Sequence, residues 1–306
     1  MSAGAGLMRG IGGAPPSASL WLAAARPRTL PAAVAPVAVG TAVAHGAGGI
    51  AWGPALAALI GALLLQVGTN FANDVFDAEK GADTADRKGP VRAVAAGLIS
   101  ARAMRAAMIA TFALAVAVGG YLVAVAGWPV VAVGVASVAA GVLYTGGPWP
   151  LGYHGLGDVF VFAFFGVVAV AGTAYVQVGA LPTLALWLAV PVGAVATAIL
   201  VVNNLRDRDT DARVGKRTLA VRWGRGFALA EYGGLLVAAH AVPLALALGG
   251  RTPLWLGVAT APLAVMLVSR LVKAEPGPAM NRLLGETARL LLVQSLLITI
   301  GLIAST

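Results

Sequence analysis

Long apolar runs separated by short polar interruptions occupy most of this chain. Nine of the runs approach the length that carries a helix across about 30 Å of hydrocarbon. They cover approximately Leu30 to His45, Pro54 to Thr69, Ala106 to Ala126, Pro129 to Tyr144, Val159 to Val178, Leu184 to Val202, Phe227 to Leu248, Pro253 to Val268 and Thr287 to Ala304. Pro31, Pro36, Pro191, Pro243 and Pro262 fall inside them; membrane helices tolerate this because neighbouring helices satisfy the freed carbonyls. The pattern predicts an all-α integral membrane protein of nine transmembrane helices.

Laid alternately across a bilayer, the nine runs leave Arg251 as the only one of 21 Lys and Arg residues on one side. The opposite side is then cytoplasmic, with the N-terminus inside and the C-terminus outside. The twelve Asp and Glu residues gather at the same cytoplasmic side, which the positive-inside rule does not require. Residues 1–20, rich in Gly, Ala, Ser and Pro, read as a disordered tail and not as a signal peptide. Residues 21–306 read as one transmembrane domain, opening with a short interfacial helix from Trp21 to Arg28.

Composition agrees with a membrane solvent: 59% of the 306 residues are hydrophobic, 11% are charged, and mean hydropathy is +0.87. The net charge of +9 is accounted for by cytoplasmic helix flanks, so no nucleic-acid partner is expected. The chain has no cysteine, which excludes disulfides and thiolate chemistry and leaves oxygen or histidine ligands for any metal.

Candidate chemistry sits where two runs end. The second continues into TNFANDVFDAEKGADTADRKGPVR, from Thr69 to Arg92, and the sixth into NNLRDRDTDARVGKRTLAVRWG, from Asn203 to Gly224. Seven of the eight aspartates lie in these segments; Asp158 is the exception. If the helices continue, Asn70, Asp74 and Asp77 share one helix face, and Asn203, Asp207 and Asp211 share another. Clustered carboxylates at a bilayer edge repel unless a cation sits among them, and oxygen-only ligands select a hard ion such as Mg²⁺. One such cluster alone reads equally well as a solvated acidic loop, but the repeated Asn-x-x-x-Asp weighs against that. Lys80, Arg87, Lys88 and Arg92 interleave with the first cluster, and Arg206, Arg208, Arg213, Lys216 and Arg217 with the second. Bases beside a metal suit a polyanion such as diphosphate, although most of these residues read equally as helix flanks. A third polar segment, YTGGPWPLGYHGLGD from Tyr144 to Asp158, is either the mouth of a cavity or a turn with interfacial aromatics. His45 and His240 read as structural, His154 as a solvated loop residue, and Glu231 as a cytoplasmic-edge residue.

These segments, together with WLAAARPRTLPAAVAPV near the start, resemble the UbiA superfamily of intramembrane aromatic prenyltransferases. Within it they are similar to the 1,4-dihydroxy-2-naphthoate polyprenyltransferases of menaquinone synthesis. The resemblance implies a helical bundle around a central cavity in the cell membrane, with its active site facing the cytoplasm. It implies catalytic and Mg²⁺-holding roles for Asp74, Asp77, Asp207 and Asp211, with Asn70, Asn203 and Asp83 as additional candidate ligands. Gly81 stands where many superfamily members carry a further Asp. Asn73, Arg92, Lys216 and Arg206 would bind diphosphate; Arg28, Tyr144, Tyr153 and Asp158 would contact the aromatic acceptor. The implied partners are polyprenyl diphosphate, 1,4-dihydroxy-2-naphthoate and membrane lipid, and the implied product is demethylmenaquinol. Transfer to hydroxybenzoate, homogentisate or a haem acceptor is the neighbouring alternative. Outside the enzymes, a cation-coupled transporter with paired Asn/Asp sites on broken helices is another.

Overall fold

The computed structural model describes residues 16–83 and 88–305. Among them every regular element is helical. In chain order these are α1 (Ala18–Ala25), α2 (Pro31–Ala47), α3 (Trp52–Glu79), α4 (Ala101–Ala126), α5 (Pro129–Leu143), α6 (Gly157–Val178), α7 (Thr183–Arg213), α8 (Leu219–Leu248), α9 (Thr252–Lys273) and α10 (Pro278–Ala304). The run α6 contains a π-helical stretch from Phe162 to Ala171, and α9 is interrupted.

Each predicted span has a helix at its position, but the helices differ in reach. Among the described residues seven are long and apolar enough to cross a membrane. The first and fourth runs are the short ones: α2 has 17 residues and α5 has 15. Helices α1 and α2 pass the same test only as a pair, bent by 51°. The bend follows from Arg26, the only non-glycine residue with positive φ among those described, at φ 54°, and from Pro27 and Pro31, whose fixed φ suits the start of a helical turn. The interfacial helix expected from Trp21 to Arg28 is present as α1 followed by a 3₁₀ turn, Pro27–Thr29. It begins at Ala18, inside the predicted tail; residues 1–15 of that tail lie outside the described residues.

Helix α7 forms the centre: 72% of its most apolar window is buried, against 22% for α4. Its close packing against α6 depends on paired glycines. A Cβ at Gly166 would stand 2.8 Å from the Cα of Gly193 and 2.7 Å from the Ala189 carbonyl. Small residues thus let two backbones touch, the usual means of helix association where lipid removes the hydrophobic drive. The outer helices α4 and α5 instead expose Ile109, Leu114, Val116, Val131 and Val135, as surfaces bathed by lipid tails do. Pro36, Pro191 and Pro243 lie inside continuous helices, whereas Gly224, at φ 78°, breaks the start of α8.

Candidate active site

Both α3 and α7 continue as helix through their polar motifs, which is the condition for the Asn and Asp side chains to share a face. The side chains face inward: Asn70, Asp74 and Asp77 are 2–3% exposed, and Asp207 and Asp211 are 4% and 7% exposed. Carboxylates this far from water need partners, and the chain supplies different ones at each motif.

At the end of α3 the partners come from a return segment. Asp74 accepts hydrogen bonds from the backbone N–H groups of Ala93 at 3.2 Å and Val94 at 2.9 Å. Arg92 places Nη2 3.2 Å from Asp77 and Nε 3.3 Å from Asp83. The Asn73 Oδ1 accepts from the Thr145 hydroxyl at 2.9 Å, and Lys80 donates to the carbonyls of Thr145 and Gly147. Asn70 is turned elsewhere: its amide donates to the Ala25 carbonyl at 2.9 Å and to the Thr29 hydroxyl at 3.1 Å, tying the bend before α2 to α3. Arg87 and Asp86 lie outside the described residues.

At the end of α7 the partners are local. The buried guanidinium of Arg206 grips its own neighbour, with Nε 2.8 Å from Asp207 Oδ1 and Nη2 2.6 Å from Oδ2. It also donates to Asn203 at 2.7 Å and, across to α10, to Asn281 at 2.8 Å. Lys216 stands 3.6 Å from Asp211.

The two motifs converge on Tyr153, in the 3₁₀ turn Leu151–His154. Its hydroxyl donates to Asp77 at 3.0 Å, and its ring lies 5.0 Å from the Lys80 ammonium and 5.4 Å from that of Lys216. Burial, then the charge of Asp77, raises the phenol well above its ordinary pKa, so Tyr153 remains a hydrogen-bond donor. Partial burial lowers Lys80 below the usual lysine value, and the Asp77 and Glu79 carboxylates oppose that shift. A cavity of about 340 Å³ opens here, with Lys80, Tyr153, His154, Arg217 and Arg222 in its lining.

Tyr144 and Asp158 lie together deeper in the same region. Burial, then Asp158, raises the Tyr144 phenol. Its hydroxyl passes so close to Gly157 that a Cβ there would stand 2.7 Å away. Asp158 is 6% exposed and neither carboxylate oxygen has a hydrogen-bond partner, an arrangement that costs several kcal/mol when the acid is ionised (roughly 3–5 in mutational data). Arg28, by contrast, is exposed on its turn, while Arg26 reaches α3 through the Asn70 carbonyl at 3.5 Å. His154 is held by the Pro150 carbonyl and stacks on Trp149; His240 links α8 to Thr260.

Among the described residues no three His, Cys, Asp or Glu side chains gather at one point, so a closed protein cage for a metal is not formed. Arg92 contacts both Asp77 and Asp83, and Asp207 and Asp211 stand one turn apart on α7. Oxygen donors in that number fit a hard divalent cation whose remaining positions are filled by water and phosphate oxygens.

The acids, Tyr153 and Asp158 singled out in the sequence are brought into one region. Sequence reasoning missed Thr145, Arg26 and Asn281. A lone Thr in a connection or Asn in the first turn of a helix carries no periodic signal, although Arg26 stands directly before a proline, where the backbone is restricted.

Residues 33–293 match the UbiA prenyltransferase family. The chain is 40% identical over 278 residues to the 1,4-dihydroxy-2-naphthoate octaprenyltransferase of Mycobacterium tuberculosis, covering 90% of this chain and 94% of that one. It is 39% identical over 298 residues to the protein of the same name from Escherichia coli, covering 93% and 95%. A UbiA homolog from Archaeoglobus fulgidus, solved bound to GPP and Mg²⁺, shares the fold with a TM-score of 0.68 at 16% identity, over 93% of this chain and 99% of that chain. The chain therefore belongs to the UbiA prenyltransferase family.

Proposed function

We propose that this multi-pass membrane protein transfers a polyprenyl group from polyprenyl diphosphate to 1,4-dihydroxy-2-naphthoate. Carbon dioxide and diphosphate leave, and demethylmenaquinol of menaquinone biosynthesis is the product. One observation carries the reading most: two buried aspartate motifs from distant helices meet at Tyr153, whose hydroxyl bonds Asp77 and whose ring lies close to both Lys80 and Lys216, the latter paired with Asp211. The names of the mycobacterial and enterobacterial relatives point to the same donor and acceptor classes.

Mg²⁺ would be held by Asp77 and Asp83 at the first motif and by Asp207 and Asp211 at the second, and when bound it neutralises charge growing on the leaving diphosphate. Asp74 keeps the return segment folded, so that Arg92 faces Asp77 and Asp83. Lys80, Arg92, Lys216 and Arg206 supply positive charge to the diphosphate oxygens, which are best gripped by groups already fixed in place. Asn73 and Asn203 hold neighbouring partners in position. Asn70 serves by fixing the Arg26 to Thr29 bend, whose arginines, Arg26 and Arg28, are the candidates for the acceptor carboxylate. Asp158, buried beside Tyr144 without a partner of its own, accepts a hydroxyl proton from the acceptor ring; this raises the ring's electron density as the allylic C–O bond breaks. Carbon dioxide then departs as aromaticity returns, and Asp158 gives the proton back to the ring oxygen, so that the product leaves as the quinol. The isoprenoid tail lies among the apolar helices and the surrounding lipid.

The reading places nine crossings in the membrane, the N-terminus inside, the C-terminus outside and the active site at the cytoplasmic face, supported by the confinement of all Lys and Arg except Arg251 to that side. It treats the chain from α1 onward as one domain. Purified protein in detergent, given polyprenyl diphosphate with either dihydroxynaphthoate or hydroxybenzoate, tests it. Product from dihydroxynaphthoate with Mg²⁺, and none with EDTA, is expected; efficient turnover of hydroxybenzoate overturns the acceptor assignment.

A further inference from the structure

Asn281 lies in the first turn of α10. Its amide is used at both ends. Oδ1 accepts from Arg206 Nη1 at 2.8 Å, and Nδ2 donates to the Lys88 carbonyl at 3.0 Å. Arginine can only donate and a carbonyl can only accept, so the pair of contacts fixes the amide's orientation and requires a side chain carrying both functions. On one side the contact reaches Arg206, which holds Asp207 and Asn203. On the other it reaches the return segment, whose later residues Arg92, Ala93 and Val94 hold Asp77, Asp83 and Asp74.

Helix α3 packs chiefly on α4, and α7 on α8 and α6. The separation of the two acid motifs is therefore set less by direct packing than by bridges between them. Tyr153 is one bridge; the chain from Lys88 through Asn281 to Arg206 is the second. It is drawn from the last helix, which carries neither motif. We infer that Asn281 is a positioning residue for the diphosphate site: it locks the segment after the first aspartate motif to the second motif, and so fixes the spacing across which the two grip one diphosphate. The inference rests on the proposed function for its consequence, but the lock itself is a property of the protein without substrate.

Hydrogen–deuterium exchange and steady-state kinetics on the purified full chain test it together. In Asn281→Ala without substrate, amides over residues 88–94 should exchange about tenfold faster, the effect of losing one well-placed hydrogen bond. The α4 amides should not change. Asn281→Asp keeps an acceptor for Arg206 but loses the donor to Lys88, and should show the same faster exchange; it carries the test should the alanine variant not fold. Both variants should raise KM for polyprenyl diphosphate about tenfold and leave KM for dihydroxynaphthoate unchanged, a split that general loosening of the fold does not produce. Unchanged exchange over 88–94 overturns the lock. Faster exchange with an unmoved donor KM overturns the positioning role. A wild-type protein without prenyl transfer sinks the proposed function instead, and exchange still decides whether the lock exists.

Discussion

The two aspartate motifs close helices of similar length, 28 residues in α3 and 31 in α7, yet they are held by opposite means. Asp207 and Asp211 are paired by Arg206 and Lys216, residues of the same helix or just beyond it. Asp74 and Asp77 depend on groups that arrive from elsewhere: the backbone of Ala93 and Val94, the side chain of Arg92, and the hydroxyl of Tyr153. The second motif thus has ion-pair partners on or just beyond its own helix, the most buried of the candidate spans, with Asn281 of α10 added on Arg206. The first is ordered only when a return segment folds back onto it. A site that must admit a long lipid diphosphate and release an inorganic one gains from that asymmetry, because a fixed half retains the geometry while the half built from a loop can adjust.

The sharpest break should come from the fixed half. Arg206→Ala leaves Asp207 buried without its guanidinium, which costs about 3–5 kcal/mol. A large drop in thermal stability in detergent, together with loss of transfer, is the expected result. Next in size, Asp74→Ala removes the acceptor for two backbone N–H groups. It should lower transfer roughly a hundredfold and expose the 88–94 segment to protease while leaving the rest of the bundle protected.

Tyr153→Phe is milder, since the ring stays beside Lys80 and Lys216 and only the bond to Asp77 is lost. About 1 kcal/mol, read as a several-fold rise in KM for the diphosphate, is expected. His154→Ala should change least, because that ring packs on Trp149 and a loop carbonyl and contacts neither motif; kcat and KM should stay within about twofold, as for surface substitutions generally.

What could be read from the sequence follows the same division. Apolar run lengths located a helix at each of nine positions, because lipid solvent forces backbone hydrogen bonds to be satisfied within the segment. They did not reveal that α2 reaches span length only together with α1, since a hydropathy pattern does not register a bend such as the one at Arg26. The burial of Asp74, Asp77, Asp207 and Asp211 on inward faces was legible from helical spacing. Their partners were not. Arg206 was singled out for diphosphate and not as the partner of its neighbour Asp207, and Asn281 offered no pattern, because contacts between residues far apart in the chain leave no local trace. Asn70 had a second role that spacing did not show: its amide N–H group ties α3 to the Ala25 to Thr29 turn.

The central claim is that both motifs grip one diphosphate, and binding of an unreactive polyprenyl diphosphate analogue measured by calorimetry tests it most directly. With Mg²⁺ present, Asp77→Asn and Asp207→Asn should each weaken binding by about tenfold or more, and chelation should erase the difference between variants and wild type. Wild-type affinity in either variant would contradict the claim, since one motif would then hold the ligand alone.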